Sequence, residues 1–335
     1  MRRIKWLVSH PRVALAFVLP ALLGTLWVRT SGLRLEALPS TVKQIAPGVW
    51  FREGEIKEYG HCNNVWIEMK DYVVVVDANF PSGAEACLAD IQKTTKKPVK
   101  YVFDTHHHGD HAYGNPVWTK MGATTLAYVG VAEEMKRYEP KRWLDTAKNR
   151  KDVAAMQLPS AEPPKQTFSE RKMILEDETR KIEFHFFGWA HTRGDGFVYL
   201  PKEQILCTGD AVVNGAYNYM GDGNTANWPS VVDQALKLNV TTVLPGHGIP
   251  GGKELLQGQK QFMVELRKAV QGAVKSGKKL EDLVTGAGED RRAVGIELSA
   301  VVKNWVGDST LPGQVEVIYK EITMGKPHGE ILGGK

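Results

Sequence analysis

An α/β fold is the class this chain of 335 residues predicts, and three observations predict it. Short apolar runs of strand length alternate with longer amphipathic segments through residues 64–246. One run, YVVVVDAN (72–79), is apolar without alternation, as in a strand covered on both faces. The side chains best suited to chemistry follow such runs directly, where open α/β sheets place their ligand sites.

The first 31 residues stand apart. Arg2, Arg3, Lys5 and Arg12 form a basic start, followed by the uncharged run VALAFVLPALLGTLWV (13–28). This is the pattern of a signal peptide or an N-terminal membrane anchor. Sixteen helical residues span only roughly 24 Å against a hydrocarbon core of roughly 30 Å, and Pro20 interrupts them, so a cleaved signal is favoured over a stable span. The best cleavage candidate is TSG (30–32). The expectation is export to the periplasm or beyond the cell.

Charge follows the same division. The leader holds five basic residues and no acidic one, so the remainder balances 38 basic against 38 acidic residues. Without a basic stripe to neutralise phosphates, nucleic acid is excluded as a partner. Cys62, Cys87 and Cys207 are too widely spaced for a cysteine zinc knuckle and read as small buried hydrophobes.

Element by element, NVWIEM (64–69) and YVVVVDAN (72–79) read as adjacent strands, and Ser82 caps a helix running to about residue 95. VKYVFD (99–104) is the next strand. Residues 129–172 are polar and helical with a proline-rich break, an insertion between two halves. A second strand series follows in KIEFHFFG (181–188), FVYL (197–200), QILC (204–207) and TTVLPG (241–246), with a helix near 230–238. The expected organisation is a main domain over 40–250 and a helical C-terminal extension over 251–335, with no internal repeat.

Four of the ten histidines fall in THHHGDH (105–111). In an extended segment alternate side chains share a side, so His106 and His108 point together and His107 points away. Two imidazoles at that spacing can bind one metal ion, and Asp110 and His111 are placed to bind a second. Three further donors lie beside glycines at strand ends: His191 in GWAHTRGD, Asp210 in LCTGDAV and His247 in VLPGHG. His61 and His185 read as structural, His10 lies in the leader and His328 in a glycine-rich tail.

The series THHHGDH, AHTRGD, CTGD and PGHG, in that order, resembles the metallo-β-lactamase superfamily with its H-x-H-x-D-H signature. The similarity runs from about residue 45 to residue 247, with Asp77 as the structural aspartate closing the opening strand pair. It implies a four-layered αβ/βα sandwich with metals at one edge between the sheets. His106, His108 and His191 would hold the first metal, Asp110, His111 and His247 the second, and Asp210 would bridge them. Zinc, two per chain, suits the imidazole-rich set, and iron or manganese accepts the same donors. Asp210 stands where some β-lactamases use cysteine, and Cys207 lies outside the ligand set.

The implied chemistry is metal-assisted hydrolysis, with a metal-bridging hydroxide as nucleophile, formed because the ions lower the pKa of water towards about 7. Asp110 would orient it as the catalytic carboxylate. The family spans many reactions, so the substrate rests on compartment. A small amide or ester, β-lactam-like or lactone-like, suits an exported enzyme better than a glutathione thioester. Tyr113, Asn115, Asn214 and Tyr217 are the candidate substrate contacts. A mono-iron persulfide dioxygenase on the same scaffold is the alternative. A small-molecule substrate is expected, with no obligate protein partner.

Overall fold

Seven strands build the first sheet in sequence order: β1 (Val42–Ala46), β2 (Val49–Arg52), β3 (Asn64–Glu68), β4 (Val73–Val76), β5 (Val99–Asp104), β6 (Thr124–Tyr128) and β7 (Gln166–Phe168). The first four pair antiparallel, and β4 to β7 pair parallel. The computed structural model describes residues 41–332, so the leader reading lies outside the described residues. A second sheet runs in the order β12 (Thr242–Leu244), β11 (Ile205–Cys207), β10 (Gly196–Leu200), β9 (Lys181–Phe186), β8 (Lys172–Glu176).

The four valines of β4 show how the layers stack. Val74 and Val76 join Phe103 and Leu126 against Phe184, Val198 and Leu244 of the second sheet. Val73 and Val75 join Trp66 and Val102 on the opposite face, covered by α1 (Pro81–Thr94) and by Trp118 of α3 (Asn115–Lys120). Each such buried valine contributes about 1.5–3 kcal/mol. On the far side of the second sheet, Phe197, Tyr199, Leu206 and Val243 pack with α7 (Trp228–Leu236), α8 (Lys253–Lys275) and α10 (Leu311–Met324). The result is the expected αβ/βα sandwich. The helical extension supplies part of its outer layer, with a small hairpin of β13 (Val284–Thr285) and β14 (Arg292–Ala293).

Several boundaries differ from the sequence reading. Ser82 does not cap α1: Phe80 occupies the cap position, Pro81 opens the helix, and the Ser82 hydroxyl donates to Asp152. The insertion is helical only through α4 (Val129–Tyr138), α5 (Lys141–Asn149) and α6 (Lys151–Ala155), after which β7 joins the first sheet and β8 the second. Among the described residues no helix is long and apolar enough to cross a membrane.

Candidate metal centre

Loops after β5, β9, β11 and β12 meet at one edge of the sandwich, and they carry all seven predicted donors. His106 and His108 extend from the end of β5, and the single turn α2 (Gly109–Ala112) then presents Asp110 and His111. Glycine makes the approach of the other loops feasible. A Cβ on Gly246 would lie 2.1 Å from Asp210 Oδ1, and Gly209, at φ 50°, would place one 2.5 Å from Thr105 Oγ1.

Two donor trios result, each with its ligand atoms within 4.8 Å of one another. In the first, His106 Nε2 lies 3.1 Å from His108 Nδ1, which lies 3.0 Å from His191 Nε2. In the second, His247 Nε2 lies 3.0 Å and His111 Nε2 3.4 Å from Asp110 Oδ2. Asp210 stands between them, with Oδ1 3.4 Å from His111 and Oδ2 3.4 Å from His247 and 3.8 Å from His191.

The outer ring nitrogens decide what the inner ones offer. His111 Nδ1 is 2.9 Å from Asp77, His191 Nδ1 is 2.9 Å from the Tyr219 carbonyl, and His108 Nε2 is 2.9 Å from Asp222. These acceptors fix one nitrogen of each ring and turn the other inward. His108 Nδ1 and His191 Nε2 then face each other at 3.0 Å. His111 Nε2 and Asp210 Oδ1 are buried without any hydrogen-bond partner. A cation among these atoms would satisfy all of them, so the donor set fits a metal on its own geometry.

Electrostatics separates the trios. Burial pushes His191 down to about 3, reinforced by the neighbouring His108 ring, and holds His106 well below the usual imidazole range. Burial also opposes charge on His247, but Asp210 and Asp110 outweigh it and push that ring up to about 9. His111 is raised against its burial by Cys62, Asp110 and Asp77. Asp110 and Asp210 are held below the usual carboxylate range, because His111 and His247 outweigh their burial.

Asp77 reaches its post through strained backbone. At φ 67° it sits in the left-handed region, from which one carboxylate oxygen holds His111 and the other accepts the Thr105 N–H at 2.8 Å.

A family model described as the metallo-beta-lactamase superfamily matches residues 58–247. The chain belongs to this superfamily. Metallo-beta-lactamase type 2 of Bacillus sp. (strain 170) is 25% identical over 232 residues, 64% of this chain and 79% of the relative. The protein of the same name from Bacillus cereus is 25% identical over 203 residues, 58% and 70% of the two chains. Among solved structures, the metallo-beta-lactamase from Pontibacter korlensis superposes with a TM-score of 0.56 at 22% identity, covering 68% of this chain and 99% of that one. The superfamily, these relatives and the donor cluster make the chain a metal-dependent hydrolase.

Outside the ligand set, the superfamily scaffold distributes the predicted contacts unevenly. A cavity of about 500 Å3 opens over Asp110, Asp210 and His247, lined also by Phe80, Tyr113 and Tyr217. Tyr217 stands at its mouth, 37% exposed. Tyr113 contributes its ring only, since its hydroxyl donates to Glu139 at 2.5 Å. Asn115 is not a substrate contact: it is fully buried and donates to Asp104 at 2.8 Å and the Glu162 carbonyl at 3.1 Å. Asn214 is not one either, because its amide holds the Ile249 carbonyl and accepts from Asn304. Cys207 lies in the core between the sheets, and Cys62 and Cys87 are buried free thiols.

Sequence reasoning missed Asp222, Arg142 and Tyr219, all near the cavity. Arg142 and Tyr219 line it, and Nη1 and Nη2 of Arg142 donate to Asp222, at 2.7 and 2.8 Å. The Gly–Asp pair at 221–222 repeats the pair at 209–210 and was the available signal. Arg142 offered none, as one of many basic residues on a polar insertion. His107 turns away from the trios and stacks on Tyr138, 3.2 Å from Arg142.

Proposed function

We propose that this protein is an exported dinuclear zinc hydrolase of small cyclic amides or esters, β-lactam-like or lactone-like. The observation that carries the reading is the pair of convergent trios with Asp210 between them, where His111 Nε2 and Asp210 Oδ1 are buried without a hydrogen-bond partner. His106, His108 and His191 would hold one ion, and Asp110, His111 and His247 the other, with Asp210 touching both. Bound zinc supplies Lewis acidity and a water acidic enough to ionise near neutral pH.

The chain's own residues supply the rest. Asp110 is the most exposed of the donors, at 23%, and faces the cavity. Its carboxylate orients the attacking water towards the bound carbonyl. Phe80, Tyr113, Tyr217 and Tyr219 give the cavity aromatic walls that hold an apolar ring system and exclude water. At about 500 Å3 the space suits a small molecule. The basic and apolar leader supports an extracytoplasmic location, and a small-molecule substrate fits the neutral remainder of the chain.

The test is elemental analysis of the purified protein with turnover of a chromogenic cephalosporin and a panel of lactones. Two zinc ions per chain and hydrolysis abolished by a chelator are expected. One iron per chain with oxygen uptake on a persulfide and no hydrolysis would overturn the reading.

A further inference from the structure

The helical insertion and the C-terminal extension meet at one buried carboxylate. Asp222 is completely buried, and its Oδ2 accepts from His108 Nε2 at 2.9 Å. Arg142, on α5 of the insertion, grips both carboxylate oxygens in a fork. The guanidinium is itself fixed, with its carbon 3.6 Å from the ring centre of Tyr138 at the end of α4 and one nitrogen 3.2 Å from His107.

The other side of Asp222 is held through its backbone. The Trp189 indole donates to the Asp222 carbonyl at 2.9 Å. His328, at the start of α11 (His328–Leu332), donates from Nδ1 to the Gly221 carbonyl at 2.7 Å, and the Gly329 N–H donates to the Gly223 carbonyl at 3.2 Å. A Cβ on Gly329 would lie 2.6 Å from the Asp222 carbonyl oxygen, so the C-terminal turn is packed directly on this loop.

We propose that Arg142 and the His328–Gly329 turn are positioning elements for the first metal pocket, acting through Asp222 on the orientation of His108. The inference rests on the reading of the first trio as a metal site. His108 aims Nδ1 inward only while its Nε2–H is anchored, and the anchor works only while Oδ2 of Asp222 is held in place. The two parallel bonds from Arg142 fix the plane of that carboxylate, which a single ammonium contact would not do. Removing the guanidinium would also leave a buried carboxylate without its strongest partner.

The experiment measures zinc affinity by chelator competition on the full chain, with the visible spectrum of the cobalt-loaded protein as a second readout. Arg142→Ala should weaken the first equivalent by about 10–100-fold, leave the second in place and alter the cobalt spectrum. Arg142→Lys should fall between wild type and Arg142→Ala. Asp222→Asn should match Arg142→Ala, and the double variant should be no worse than Asp222→Asn alone, as expected of residues acting in series. Gly329→Val should weaken the same equivalent by displacing the loop. Wild-type affinity in Arg142→Ala, or effects of Arg142→Ala and Asp222→Asn that simply add, would overturn the proposal. If Arg142→Ala does not fold, equality of Arg142→Lys with wild type overturns it. Wild-type protein that binds no metal would sink the metal reading itself, whereas two bound metals unaffected by Arg142 would sink only this inference.

Discussion

The two donor trios differ in charge more than in shape. His106, His108 and His191 form an all-imidazole set, in which burial pushes His191 down to about 3 and holds His106 well below the usual imidazole range. Asp110, His111 and His247 include a carboxylate and lean on Asp210, and His247 is pushed up to about 9. The second pocket can therefore balance its charge with a proton on His247, whereas His106 and His191 of the first stay unprotonated. Protons compete with a metal at His247 and not at those two rings.

Removing the shared residue should erase that contrast and produce the largest effect. Asp210→Ala is expected to lower turnover by about a thousandfold, the several kcal/mol attributable to a metal-site group, and to weaken both metal equivalents. Kinetics with elemental analysis checks this. Loss confined to one equivalent would show that the trios do not share Asp210.

Acidification should sharpen the contrast. Below about pH 9 the His247 ring is protonated in the metal-free protein, so a metal must expel that proton to bind. Each competing proton costs about tenfold in affinity per pH unit. Between pH 8 and pH 6 the second equivalent should weaken by at least about a hundredfold, since His111 is raised as well, and the first should weaken less because His191 is already unprotonated far below that range. Metal affinities measured across this window test the sign as well as the size.

Asp77→Asn acts on one side only. It leaves His111 without its carboxylate partner, so the second equivalent should weaken by about 10–100-fold while the first is unchanged. The smallest effects belong to the two asparagines. Asn115→Ala should leave KM unchanged and lower stability by about 1–3 kcal/mol, since buried Asp104 loses its partner. Asn214→Ala should cost about 0.5–1.5 kcal/mol, again without a change in KM.

The chain announces its buried strands and hides its edges. β4 is a continuous apolar run because both of its faces are covered, and β5 buries its second half. β7 and β8 are exposed on alternate or most residues and β1 has no buried residue, and nothing in VKQIA or QTF separates them from loops. The donors were readable because each follows a strand and most sit beside glycine, which the close packing of Gly209 and Gly246 explains. Asn115 and Asn214 misled because closeness in sequence to a ligand is not closeness to the cavity: their partners are Asp104, Glu162, Ile249 and Asn304. The contact of Arg142 with Asp222 spans 80 residues and leaves no local trace in the sequence.

The most direct test of the two-pocket account is a calorimetric titration of the metal-free chain with zinc at pH 7, in two buffers of different ionisation enthalpy. The account predicts two binding events, the first releasing almost no protons and the second releasing at least one. A single event, or equal proton release in both, would contradict it.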